Sequence, residues 1–305
     1  MHDLKQIYNK VFNLLKNRAI EYFAVDGNSK FYPNKPAFSD LGVVCLAITA
    51  ECVQIDSENL LWSKLKKDYP DWYSSLPHRT RFNHRRKKLA DIITNCSIIL
   101  AQDLMTSDQD LIIDTIPIPV CHMAREQRTL VCQGGNDQIK AAKGWHASSK
   151  QWFIGYKMHL ITTETGVFVD MIVTPANVHD NFYLKTLDEN ASFLINKRLL
   201  GDRAYIGQAI QLNLFEKLDL ELVIPYRRNQ HDFKEYPFEL KIKRKTIETV
   251  FSQYCDEFNI KRNYAKSFDG LFVRLVTKIA AKTFKQSWNQ FTGNPVNQTK
   301  HALAA

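Results

Sequence analysis

Apolar residues recur at helical spacing through the first hundred residues. Leu4, Ile7, Tyr8, Val11, Phe12, Leu14 and Leu15 predict a first helix. Ser39 and Asp40 read as an N-cap for a helix over 41–53, apolar on every side and therefore buried. The pattern continues over 60–67 and 86–105, and Pro70 and Pro77 predict a break over 68–77.

Near residue 109 the period changes. The run DLIIDTIPIPVC (110–121) is short, apolar and β-branched, which predicts a strand; Pro117 and Pro119 are expected to end its regular part at Thr115. Residues 132–150, with Gly134, Gly135 and Gly144, read as a loop. Residues 153–163 and 167–174 flank Glu164-Thr165-Gly166 and predict a β-hairpin. A helix over 178–196, a strand over 198–202, a helix over 206–218 and a strand over 220–226 follow. After a polar, basic stretch comes a helix over 244–258, with Ile247, Val250, Phe251, Tyr254 and Phe258 on one stripe. Antiparallel pairing followed by β-α-β alternation predicts an α/β fold, a mixed sheet covered by helices, preceded by an all-helical region.

Composition narrows the class. Of 305 residues, 45% are hydrophobic and 24% charged, which excludes a disordered chain and a fibrous repeat. The longest uncharged apolar stretch, 41–50, has ten residues, against ~20 for a membrane span. The opening MHDLKQIYNK has no apolar core of a secretory signal. Six scattered cysteines include no C-x-x-C pair and read as reduced thiols. A cytoplasmic location is the expectation. The net charge of +9 is concentrated in the last hundred residues and favours a polyanionic partner.

Three carboxylates carry the candidate chemistry. Asp114 lies inside Ile112-Ile113-Asp114-Thr115-Ile116, where an ionised group needs a cation or hydrogen bonds. Asp202 ends the strand LLGD; carboxyl ends of strands line ligand crevices in open α/β sheets. Glu248 borders the apolar stripe of the last helix, one turn from Arg244. Each alone has an ordinary reading: a structurally bonded acid, a helix cap or pair with Arg203, and a surface pair with Arg244. Together they suit Mg²⁺ or Mn²⁺, and two such ions can activate a water and stabilise a leaving oxygen in phosphodiester cleavage.

With these residues the sequence resembles the DDE transposases of bacterial insertion sequences, especially insertion-sequence family 982, whose core is ribonuclease-H-like. IIDTIPIPVC, WFIGYKMHLI (152–161), TPANVHD (174–180), LLGDRAYIG (199–207) and KRKTIETVFSQ (243–253) resemble family blocks in the right order. Ala204 stands where the family has Gly, and Lys241 and Cys255 replace the Tyr and the basic residue of the wider superfamily. The resemblance implies a ribonuclease-H-like five-stranded mixed sheet at 109–285, a helical DNA-binding region at 1–108 and a tail at 286–305. It implies Asp114, Asp202 and Glu248 as catalytic metal ligands, about two Mg²⁺ or Mn²⁺ ions, and cutting and joining of strands at terminal inverted repeats. Double-stranded DNA would be the partner, with a homodimer in the DNA complex.

Other residues have candidate roles around that centre. The run HRTRFNHRRKK (78–88) holds six basic residues and no acid, so Arg79, Arg81, Arg85, Arg86 and Lys87 could contact phosphates, with Phe82 stacking. Its alternative is a solvated helix start. Lys157, Arg203, Arg244 and Lys245 are further DNA-contact candidates, and Arg227-Arg228 adds to the basic cluster. His159 alternates with Lys157 on one strand face. His179 and Asp180 read first as a helix cap and otherwise as neighbours of the active site. Two rival functions remain: another ribonuclease-H-like nuclease, and a non-catalytic DNA-binding protein derived from a transposase.

Overall fold

The computed structural model describes residues 3–106, 110–133, 139–187, 191–227, 229, 233–262 and 264–303. Gly134, Gly135 and Arg228 lie outside them. The chain divides into two compact units, Met1–Leu104 with Tyr254–Ala305, and Met105–Gln253.

The first unit is helical. It contains α1 (Leu4–Arg18), α2 (Asp40–Cys52), α3 (Glu58–Asp68), α4 (Pro70–Ser74), α5 (Arg79–Lys88) and α6 (Ala90–Gln102). The expected break at 68–77 holds α4, whose Pro70 sits in the first turn, where its missing N–H costs no hydrogen bond. The single helix expected over 86–105 is instead the end of α5 and all of α6, joined at Leu89. α2 is buried along its whole length, as its uniformly apolar sequence requires, and Ser39 Oγ caps it by accepting from the Gly42 N–H. Asp40 is fully buried. Its carboxylate accepts from Arg85, Ser29 and Tyr32, so charge and hydrogen bonds offset its desolvation.

Within the same unit, Phe268–Phe291 forms a 24-residue helix that carries three buried lysines: Lys278, Lys282 and Lys285. Lys278 donates to Glu51 of α2 at 2.5 Å and to the Phe258 carbonyl at 2.6 Å. Lys285 reaches Glu257 at 3.4 Å. Ala302 and Leu303 are also buried.

The second unit is built on a six-stranded mixed sheet: β1 (Leu111–Cys121), β2 (Ala142–His146), β3 (Gln151–Thr163), β4 (Phe168–Pro175), β5 (Arg198–Leu200) and β6 (Glu221–Val223). β1 runs antiparallel to β3 and parallel to β5, and β5 runs parallel to β6. β2 and β4 share the far edge of β3: β2 pairs Gln151–Gly155 and β4 pairs Tyr156–Thr162. The helices are α7 (Asn181–Thr186), α8 (Gln208–Leu218) and α9 (Phe238–Asp256). This is a ribonuclease-H-like architecture.

Three expectations are corrected here. β1 continues past Pro117 and Pro119 to Cys121, because β5 pairs only Leu111 and Ile112. Beyond them, among the described residues, β1 bonds to β3 alone, so an edge is open to the proline nitrogens. Residues 142–146, read as loop, form β2; Gly144 permits it, since a Cβ there would meet the Ala176 carbonyl oxygen at 2.4 Å. The helix expected over 178–196 is reduced to α7 and a 3-10 turn at Ser192–Leu194, with Leu187 extended between them.

Side-chain alternation assigns two faces. Leu111, Ile113, Ile161 and Leu199 pack with Tyr183, Leu184, Leu214 and Leu218 of α7 and α8. Ile112 and Leu200 point the other way and pack with Ile247 of α9.

Candidate active site

Asp114 stands two residues beyond Ile112, and Asp202 two residues beyond Leu200; Ile112 and Leu200 are directly paired in the parallel β1–β5 ladder. With a period of two, Asp114 falls on the sheet face that Ile247 of α9 covers, whereas β5 ends at Leu200 and Asp202, expected to end the strand, lies past it as the cap of the next turn. The register and the strand period together bring them to one end of the sheet.

Their surroundings differ. Burial pushes the Asp114 carboxyl up to about 7; the Thr115 N–H, donating at 2.7 Å, opposes this, Asp202 adds to it, Arg244 opposes it and Asp180 adds to it. Asp202 caps the 3-10 turn Arg203–Tyr205 by accepting from the Ala204 N–H at 2.8 Å. Glu248 is exposed, and lines with Asp202 a cleft of about 560 Å³. Arg203, Lys241, Arg244 and Lys245 line the same cleft, with Tyr226, Phe233 and Tyr236. Among the described residues, no three His, Cys, Asp or Glu side chains are grouped to hold a metal ion.

Lys157 is ion-paired with Asp180 at 2.9 Å and donates to the Val178 carbonyl at 3.0 Å. Asp180 precedes α7 without capping it by its side chain; His179 does that, accepting at Nδ1 from the Asn181 N–H. His159 is fully buried, with Nε2 at 2.8 Å from Thr174 Oγ1 and Nδ1 without a hydrogen-bond partner. Burial lowers its pKa to about 4, so the ring is neutral.

The basic helix α5 divides its charges. Arg85 is engaged with Asp40 and the Phe38 carbonyl, and Arg86 is buried against Glu58 at 2.9 Å. Phe82 is fully buried against Trp62, which rules out the stacking role expected for it. Arg81 is exposed, and Arg79 and Lys87 are half-buried.

A family model described as "Transposase DDE domain" matches residues 106–268. The chain belongs to this family of DDE transposase domains. The matched segment contains Asp114, Asp202 and Glu248. No curated protein matches the chain. Among solved structures, the piggyBac transposase synaptic complex with hairpin DNA, determined by cryo-EM, is similar at 12% identity and a TM-score of 0.49. That match covers 100% of this chain and 79% of the other.

Several residues in this transposase domain escaped the sequence reading. The cleft aromatics lie in the stretch 225–237, where Tyr226, Phe233-Lys234 and Tyr236 interleave rings with charge; that interleaving was the available signal. Asp110 is a missed acid. Arg198 donates to it twice at 2.7 Å and Lys243 once at 2.6 Å. Burial opposes ionisation there, but these bonds outweigh it and hold the carboxyl below the usual range.

Proposed function

We propose that the chain is an insertion-sequence transposase, of the kind in insertion-sequence family 982. It binds the terminal inverted repeats of its element and catalyses metal-dependent strand cleavage and strand transfer. The observation that carries this reading is that Asp202 and Glu248 line one cleft, while Asp114 and Asp202 each lie two residues past the paired Ile112 and Leu200.

The residues fit a divalent cation by their chemistry. All three are hard oxygen donors. Burial chiefly raises the Asp114 pKa, with Asp202 and Asp180 adding to it, and a bound cation would favour the ionised carboxylate. Bound by Asp114, Asp202 and Glu248, two Mg²⁺ or Mn²⁺ ions would activate the attacking oxygen and stabilise the leaving one. The chain's own cations have a separate task. Arg203, Lys241, Arg244 and Lys245 grip phosphates along the cleft, which fixes the register of the strand without reading its sequence. Cutting paired ends calls for two copies in the DNA complex.

The deciding experiment is cleavage of a labelled duplex carrying the element's own end, with Mg²⁺ or Mn²⁺, by wild type and Asp114→Ala. Metal-dependent cuts at the element boundary, lost in the variant, are expected. End binding by the wild type without any cut under either metal would overturn the enzymatic reading in favour of a regulatory descendant.

A further inference from the structure

β2 and β3 form a second hairpin, which the cleavage reading does not use. Its register sets Trp145 directly opposite Trp152. The two indoles meet edge to face, with ring centroids 5.3 Å apart. Large aromatic side chains on a strand ordinarily cover a core. Here Trp145 is 46% exposed and Trp152 is 52% exposed. Single apolar residues on a surface are ordinary, but adjoining indoles rimmed by polar groups mark an interaction site.

The pair stands on a fixed support. Gly144 lies too close to the Ala176 carbonyl for any side chain, with a Cβ at 2.4 Å from its oxygen. The turn after β2 is closed by His146 Nδ1 and Ser149 Oγ at 2.6 Å. A contact with the rings would therefore cost little ordering of the chain.

Charge decides among partners. Lys143 shares the face of Trp145, and its Nζ lies 5.6 Å from the centre of the Trp152 ring. Lys140 and Lys150 are also exposed. Among the described residues of 122–153 the one acid is Glu126, which Lys143 meets at 3.0 Å. Cations around aromatic faces complement a nucleic-acid strand, whose phosphates need positive charge and whose bases stack on rings. A paired base shows only its edges in a groove, so open indole faces call for unpaired bases.

We propose that the β2–β3 hairpin binds unpaired nucleotides of a DNA strand, with bases stacked on Trp145 and Trp152 and phosphates held by Lys140, Lys143 and Lys150. None of these residues lines the cleft of Asp202 and Glu248. The proposal needs neither a metal ion nor strand cleavage.

The test is titration of the full chain, without metal, into a fluorescein-labelled oligo-dT strand, followed by anisotropy. Trp145→Val/Trp152→Val keeps residues suited to strands and removes both ring faces. Its affinity is expected to fall about tenfold or more, with little change for a duplex of equal length. Trp145→Tyr/Trp152→Tyr keeps the rings and should stay within about threefold of wild type. Lys150→Gln should lower the salt slope by about 0.7. Binding should also quench the tryptophan emission of wild type, and the tyrosine pair, which leaves Trp62, Trp72 and Trp288, should lose most of that quenching.

Unchanged oligo-dT affinity in a folded valine pair overturns the proposal, as does an equal loss on single strand and duplex. If the valine pair does not fold, full quenching in the tyrosine pair overturns it instead. A wild-type dimer in sedimentation without DNA, dissociated in the valine pair, would assign the patch to a second copy of the chain and overturn it too. Because no metal or element end is present, each of these failures leaves the cleavage reading standing.

Discussion

Asp114, within β1, and Asp202, just past the end of β5, each lie two residues beyond the parallel pair Ile112–Leu200. That pair packs with Ile247, which puts Asp114, two residues on in β1, on the α9 face of the sheet. Asp202→Asn keeps an oxygen that can cap Arg203–Tyr205 by accepting from the Ala204 N–H. The variant should therefore fold and bind element ends like wild type, while its cleavage rate falls by about a hundredfold or more. Gel-shift and single-turnover cleavage on one duplex would separate the two effects; undiminished cutting would sink the assignment of Asp202.

Asp110 gives the second unit a dependence on acid. Burial opposes ionisation of its carboxyl, but the bonds from Arg198 and Lys243 outweigh this and lower its pKa below the ordinary carboxylate range. A depressed carboxylate contributes stability above its unfolded pKa and loses it as pH falls through the folded value. Arg198 is partly exposed, so Arg198→Met should cost only about 1–2 kcal/mol at neutral pH. The gap between the two urea midpoints should narrow as pH drops below the ordinary carboxylate range. A gap independent of pH would contradict this account.

Glu51 and Lys278 test the interior of the helical unit, where their side chains are 4% and 2% exposed. Glu51→Leu strands a buried ammonium and should destabilise by about 3–5 kcal/mol. Adding Lys278→Met removes the stranded charge and should restore most of that loss. Denaturant unfolding of the two variants measures it, and no recovery in the double variant would show that packing, rather than charge, dominates.

Helix α5 separates contact from support. Arg81 is exposed, so Arg81→Gln should leave thermal stability unchanged and lower the salt slope of duplex binding by about one. Arg86 is buried against Glu58, so Arg86→Gln should lower stability by about 3 kcal/mol. Equal effects of the two substitutions on DNA affinity, with stability preserved, would refute the division.

Gly155 of β3 has no room for a side chain against β1. A Cβ there would fall 2.1 Å from the Ile118 carbonyl oxygen. Gly155→Ala should cost about 3 kcal/mol or more, since backbone on the facing strand must move. Midpoints of urea unfolding check this, and a loss under about 1 kcal/mol would mean the pairing yields easily.

The sequence by itself determined the elements whose signals are local. Apolar period and Ser39 defined α2, the turn Glu164-Thr165-Gly166 defined the β3–β4 hairpin, and a carboxylate inside IIDTI marked Asp114 as unusual. It also carried the family resemblance, since the motif blocks are contiguous in the chain. Strand pairing was not local. Whether Pro117 could remain in a strand depended on how far β5 reached, and whether 142–146 paired depended on Ala176 lying beneath Gly144. Arg79, Arg81, Arg85 and Arg86 look alike in sequence, and only the placement of Asp40 and Glu58 turned two of them inward. The exposure of the Trp145–Trp152 pair was equally beyond the sequence, because it depends on what packs around β2 and β3.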